Sequence, residues 1–163
     1  MEILLIVYVE NSSYKEVIFL KKALVITPII IIFVIFFCIF FHTVKLVKYY
    51  SQKEKYITVT GTVSYIKYND NNSELYIGFS ELNTKLDDHC FKIVGDNLKI
   101  VQSNHIDDRL VLGKQVSFVT APKYFGDGYV MPIVSITIDE DDLLEFEDGY
   151  HNLLDWLKKL KWL

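Results

Sequence analysis

Cysteine is almost missing from this 163-residue chain: Cys38 and Cys90 are its only two. One lies inside an apolar run and the other well outside it, so they build no disulfide framework. Motifs of nucleotide and hydrolase chemistry are missing too. There is no Walker loop, G-x-S-x-G, H-E-x-x-H or dinucleotide glycine pattern. No C-x-x-C or H-x3-5-H spacing marks a zinc site. No charge occurs between Lys22 and His42, where the sequence reads "ALVITPIIIIFVIFFCIFF". The end of that run lacks the small-x-small pattern that signal peptidase needs, and Phe37 before Cys38 is too bulky for a lipoprotein box. A removable signal is therefore disfavoured.

What is present in that run is an anchor. Residues 23–41 are interrupted only by Thr27 and Pro28. As a helix at 1.5 Å per residue they cover roughly 28 Å, the thickness of a bilayer core. A core helix of a globular protein keeps a polar stripe, and this segment has none. Pro28 is expected in the first turns of the helix, where its missing N–H matters least. Lys21 and Lys22 flank one end; Lys45, Lys48, Tyr49 and Tyr50 flank the other, a set suited to the headgroup layer. The segment 1–22 has no clear partner structure, and "ILLIVYV" within it is too short to span, so it reads as a strand or an interfacial piece. The positive-inside count, three lysines before the run and four after it, favours a cytoplasmic C-terminal domain, whereas the "LKK" at Leu20 has the layout of an N-terminal signal anchor. The first nineteen residues then read as an over-extended gene start, with the following domain on the extracytoplasmic side of the plasma membrane.

Charge divides the chain. Residues 1–55 carry seven lysines against four acids, and residues 56–163 carry ten basic residues against seventeen acids. An acidic domain is a poor match for nucleic acid, whose backbone needs clustered positive charge. Residues 45–55 read as a juxtamembrane continuation of the helix or a short stalk. From Tyr56 the apolar period becomes two: Ile57, Val59, Val63 and Tyr65 on one face, threonines and serine on the other. Gly61 is the expected bulge or bend. "NDNNSE" is a turn, and "LYIGFS" returns as the second strand of a hairpin. "CFKIV" and "NLKIV" read as one bent strand or a tight pair. "NHIDDRLVLG" holds a short helix or turn closed by Gly113, with Ile106, Leu110 and Leu112 expected inward. "QVSFVT" and "YVMPIVSITI" are strands about a hairpin loop, with Pro132 at an edge or bulge. Residues 139–163 read as an amphipathic helical segment capped by Asp139 and interrupted at Gly149.

This element order, with "LVLGKQVSF" leading from a helix exit into a strand, resembles a small Greek-key barrel of the OB type over residues 56–138. A β-sandwich or SH3-like barrel is the alternative. The expected architecture is one transmembrane α-helix (23–44), a stalk (45–55), a mainly-β barrel (56–138) and a C-terminal helix (139–163).

The functional expectation is an envelope binding or assembly protein, its bacterial character resting on an Ile/Lys/Asn/Tyr-rich composition. Residues 23–44 hold the bilayer and the barrel meets a protein partner. The hairpin loop residues Lys123, Tyr124, Phe125, Asp127 and Tyr129 are the candidate contacts, since aromatic side chains in loops make good interface anchors. Trp162 is a further candidate for the membrane interface. No cofactor, metal or nucleic acid is expected. Two rivals come from other residues. His89, Cys90 and His105 are candidates for an enzyme or metal site, although neighbours on a strand point to opposite faces. Tyr65, Tyr68 and Tyr76 offer stacking faces for a nucleic-acid binder. "NDNNSE" and "DEDD" supply oxygens for calcium but match no EF-hand loop.

Overall fold

The computed structural model describes residues 2–86, 90–123 and 130–160, with 2–25 and 160 as backbone only. The chain divides into two compact units, Met1–His42 and Thr43–Leu163.

The first unit is helical. Helix α1 runs Glu2–Tyr50, so "ILLIVYV" is helical rather than a strand or an interfacial piece. Nothing between it and the apolar run breaks a helix, and a continuous helix satisfies its own backbone groups. Pro28 therefore falls in a helix interior and not in a first turn. Its ring leaves one carbonyl of the preceding turn without an N–H partner. From Ile26 to Tyr50 the helix is long and apolar enough to cross a membrane.

The second unit opens with the last two turns of α1. A short 3-10 turn (Lys53–Lys55) leads into β1 (Ile57–Tyr68) and then β2 (Glu74–Ser80), the hairpin that the alternation predicted. Asn69 makes its turn by accepting from the backbone N–H of Ser73 at 2.8 Å and of Glu74 at 3.0 Å. The bulge in β1 sits at Ser64, between Val63 and Tyr65, and not at Gly61. It places Tyr65 on the outer face, opposite to the expected one.

Strand β3 (Cys90–Val94) follows, and then helix α2 (Gly95–Ser103) where a second short strand was expected. Both periods were available in "NLKIV". Leu98 and Val101, three apart, are the two apolar residues that bury, and the buried Asn97 anchors the helix. Its Nδ2 donates to the Gly149 carbonyl at 2.8 Å, and its Oδ1 accepts from Asn152 Nδ2 at 3.0 Å. Tertiary partners decided the segment.

Strands β4 (Gln115–Thr120) and β5 (Val130–Ile138) form as expected. Pro132 lies beyond Ile133, the last β5 residue paired with β4, and two positions from an irregularity at Val134. The acidic stretch departs from expectation. It forms β6 (Asp141–Leu144), and helix α3 starts only at Phe146, running to Leu160 straight through Gly149. The β5–β6 hairpin closes on a two-residue turn, Asp139 (φ 53°) and Glu140 (φ 70°). Positive φ at both central positions is the mark of the turn that suits strand twist. The side chains expected to start a helix instead bind cations of the segment between α2 and β4. Lys114 Nζ reaches Asp139 Oδ2 at 2.6 Å and Arg109 Nη2 reaches Asp141 Oδ2 at 3.1 Å.

The sheet has six strands in the order β3-β2-β1-β4-β5-β6, and β3 also pairs in parallel with β5. The pairings thus run from β1 through β2, β3, β5 and β4 back to β1. Every other pair is antiparallel. Inward residues of the ring fill one core, in which the rings of Phe79 and Phe118 stack at 4.3 Å with Phe91 edge-on. A second cluster joins Leu46 and Tyr50 of α1, Val94, Ala121, Val134, and Leu153 and Leu157 of α3. Residues 45–55 are accordingly not a free stalk: the end of α1 is part of the folded unit.

Candidate binding surfaces and the helix junction

The best-built polar feature is the C-terminal end of α1. A helix end leaves carbonyls without partners, and tyrosines supply them here. Tyr56 OH donates to the Tyr50 carbonyl at 2.9 Å, and Tyr150 OH donates to the Ser51 carbonyl at 2.9 Å. Tyr50 OH in turn donates to the Lys123 carbonyl at 2.6 Å. Phe146, Tyr56 and Tyr150 form one aromatic group, their centroids 5.6–5.8 Å apart. The Lys53 ammonium lies 4.9 Å from the Tyr150 centroid and binds Glu147 at 2.6 Å. Burial pushes the Tyr56 phenol well above its ordinary range, with the neighbouring Tyr150 adding to it, so it stays a neutral donor.

Of the residues expected at the headgroup layer, Lys45 and Lys48 are exposed. Tyr50 is not: it is fully buried. Four residues after Leu46, it falls on the same helix face and is taken into the second cluster. Tyr49 is half-buried under the Lys123 ammonium, 4.5 Å from its ring centroid. Lys21 and Lys22 belong to α1, and Trp162 lies outside the described residues.

The candidate contact loop divides in the same way. Lys123 is engaged by Tyr49 and Tyr50, while Tyr124, Phe125, Asp127 and Tyr129 lie outside the described residues.

The outer face of β1-β2-β3 carries two register rows, Tyr65–Gly78–Cys90 and Lys67–Tyr76–Lys92. Lys92 is only 4% exposed, a cost that its partners offset. Glu74 takes both neighbours: Lys92 Nζ at 2.9 Å on one oxygen and Tyr76 OH at 2.5 Å on the other. Tyr65 is exposed on this face. Tyr68 is not part of it. Its side chain packs against the core and its OH donates to Asp107 Oδ2 at 2.5 Å. The three tyrosines therefore do not form one stacking platform.

Cys90 is half-buried; burial pushes its thiol upward, away from the thiolate that a nucleophile needs. His105 is exposed at φ 53°, its Nδ1 3.5 Å from Asp108 Oδ2. His89 lies outside the described residues. Among the described residues no three His, Cys, Asp or Glu side chains gather as a metal site.

Two features escaped the sequence reading. One is the pair of tyrosines that close α1. The other is the turn at Val111–Leu112: Ile106 and Leu110 are buried as expected, but Val111 and Leu112 are exposed (53% and 66%), so Leu112 does not turn inward. A shallow cleft of about 390 Å³ adjoins it over β1, β4 and β5, lined by Thr60, Lys114, Gln115, Val116, Ser117, Thr137, Asp139 and Glu140. No protein-family model, curated protein or solved structure matches the chain.

Proposed function

We propose that this chain is a single-pass membrane protein that presents a small barrel to a protein partner. One observation carries the anchoring: the large apolar side chains from Ile26 to Phe41 are turned outward, 39–66% exposed. A helix apolar all round has its stable place in a bilayer. Lys45 and Lys48 stand where cationic ends meet headgroups. For the domain, the return of the strand pairings to β1 and the position of α2 between β3 and β4 support an OB-type barrel. Its acidic balance favours a protein over nucleic acid. We place the domain on the extracytoplasmic side of the plasma membrane, on the lysine pair directly before the apolar run.

Fractionation of cells tests the anchoring. The full chain should remain in the membrane pellet after an alkaline carbonate wash. Replacing Ile32 and Phe36 with Asp should release it, because each carboxylate at mid-helix costs about 3 kcal/mol on insertion. Recovery of the unaltered chain in the carbonate supernatant would end the reading. Protease added to intact cells should reach the domain; full protection would place it inside.

A further inference from the structure

We infer that the Val111–Leu112 turn and the acid-rimmed cleft beside it form the partner-docking surface, and that its occupant is a cationic protein segment carrying an apolar residue. The inference rests on the reading of the chain as an anchored binding protein.

The turn is held by backbone hydrogen bonds, and its apex is unexplained by folding. Lys114 N–H donates to the Val111 carbonyl at 3.0 Å, closing a four-residue turn with Gly113 at φ +81°. That conformation calls for glycine at the third position. Val63 pins the turn from both backbone groups: its carbonyl accepts from Gly113 N–H at 2.8 Å and its N–H donates to the Lys114 carbonyl at 2.9 Å. Leu112 occupies the second position, where any residue is tolerated, yet it is the most exposed large apolar side chain of the Thr43–Leu163 unit among the described residues. An apolar group held in place before binding loses little freedom on docking. Tyr65, just beyond Val63 on β1, is also exposed at 46%.

Charge selects the occupant. Asp139 and Glu140 line the cleft, Asp141 meets Arg109, and Asp108, next to Arg109 in the chain, is exposed. Arg109 and Lys114 are already paired, with Asp141 and Asp139. Glu140 lines the cleft at its exposed rim. Such a rim repels anionic lipid and a second copy of this acidic unit. It attracts Lys or Arg, steering them toward a central apolar contact.

The test uses the full chain in its own membrane, with a photoreactive benzophenone side chain in place of Leu112 and, separately, of Lys67. Illumination should give a protein adduct from position 112, mapped by mass spectrometry to a net-positive segment. In a D108K/E140K background, with an unchanged melting temperature, its yield should fall about tenfold or more. The inference is overturned by an adduct to lipid, to a neutral or acidic segment or to a second copy of the chain, or by a yield indifferent to D108K/E140K. It is also overturned if position 67 captures a protein and position 112 none, which leaves protein binding standing. Absence of protein adducts from both positions overturns this inference and counts against protein binding as well.

Discussion

At Glu140 the backbone is held at φ 70° beside Asp139 at 53°. An L-residue with a Cβ pays for this conformation, and glycine does not. Asp139 has a return, since its carboxylate holds Lys114. Glu140 makes no such contact among the described residues, so E140G should stabilise the full chain by about 0.5–1 kcal/mol, after allowing for the extra freedom of the unfolded glycine. Thermal melting in detergent micelles checks this; an unchanged or lower midpoint would contradict the strain argument. Tyr68 responds to pH. Burial first, and then its hydrogen bond to Asp107, push its phenol from 10.0 up to about 12. The folded state therefore keeps a proton that the unfolded state gives up. Stability from this group is fully present below pH 10 and is lost as pH rises toward 12. Melting temperatures between pH 10 and 12 should fall more steeply for the native chain than for Y68F. Parallel curves would remove the role assigned to Asp107.

At the scale of elements, α3 approaches β5 as closely as a helix can. A Cβ at Gly149 would fall 1.8 Å from the Val134 carbonyl oxygen, so G149A must push the helix away. The displaced helix would also loosen the Asn97–Gly149 bond and the packing of Leu153 and Leu157. A loss of at least about 3 kcal/mol is expected, at the upper end for overpacking, read as a lower melting midpoint. The sequence invited a different account of this glycine, as a helix break, because close approach leaves no local signature. The same limit explains the other departures. Strands β1, β2, β4 and β5 were legible because alternation records their two-sided environment directly. Helix α2 was not, since Leu98, Ile100 and Val101 fit either period and Asn97 chose between them through a residue fifty-two positions away. Strand β6 was hidden by a turn built from Asp and Glu where glycine or asparagine would have announced it. At the candidate surfaces, Lys45 and Lys48 are exposed near the end of α1. Burial of Tyr50 was not legible, since it depends on a partner, Lys123, far along the chain.

For the whole molecule, the sequence suggests a domain that starts at residue 56, whereas the unit boundary lies between His42 and Thr43. The difference has a measurable consequence. Among the described residues, both hydrophobic clusters draw on residues from Leu46 onward and none earlier. A fragment 43–163 therefore contains a complete set of core partners and should fold by itself in water, with one cooperative transition. A fragment 56–163 loses Leu46 and Tyr50, leaving Val94, Ala121, Val134 and Leu153 of the second cluster open to solvent. It also takes the acceptors away from Tyr56 OH and Tyr150 OH, and the donor away from the Lys123 carbonyl. Losing the two apolar side chains alone costs roughly 3–6 kcal/mol, a large part of the stability of a small domain. The shorter fragment should melt far lower or expose apolar surface to a dye such as ANS. Restoring residues 43–55 should recover the transition, and Y50A in the longer fragment should reproduce most of the loss. Equal midpoints for the two fragments would mean that the end of α1 lies on the domain without supporting it. The expected gap would make the last turns of α1 a structural part of the domain that follows them.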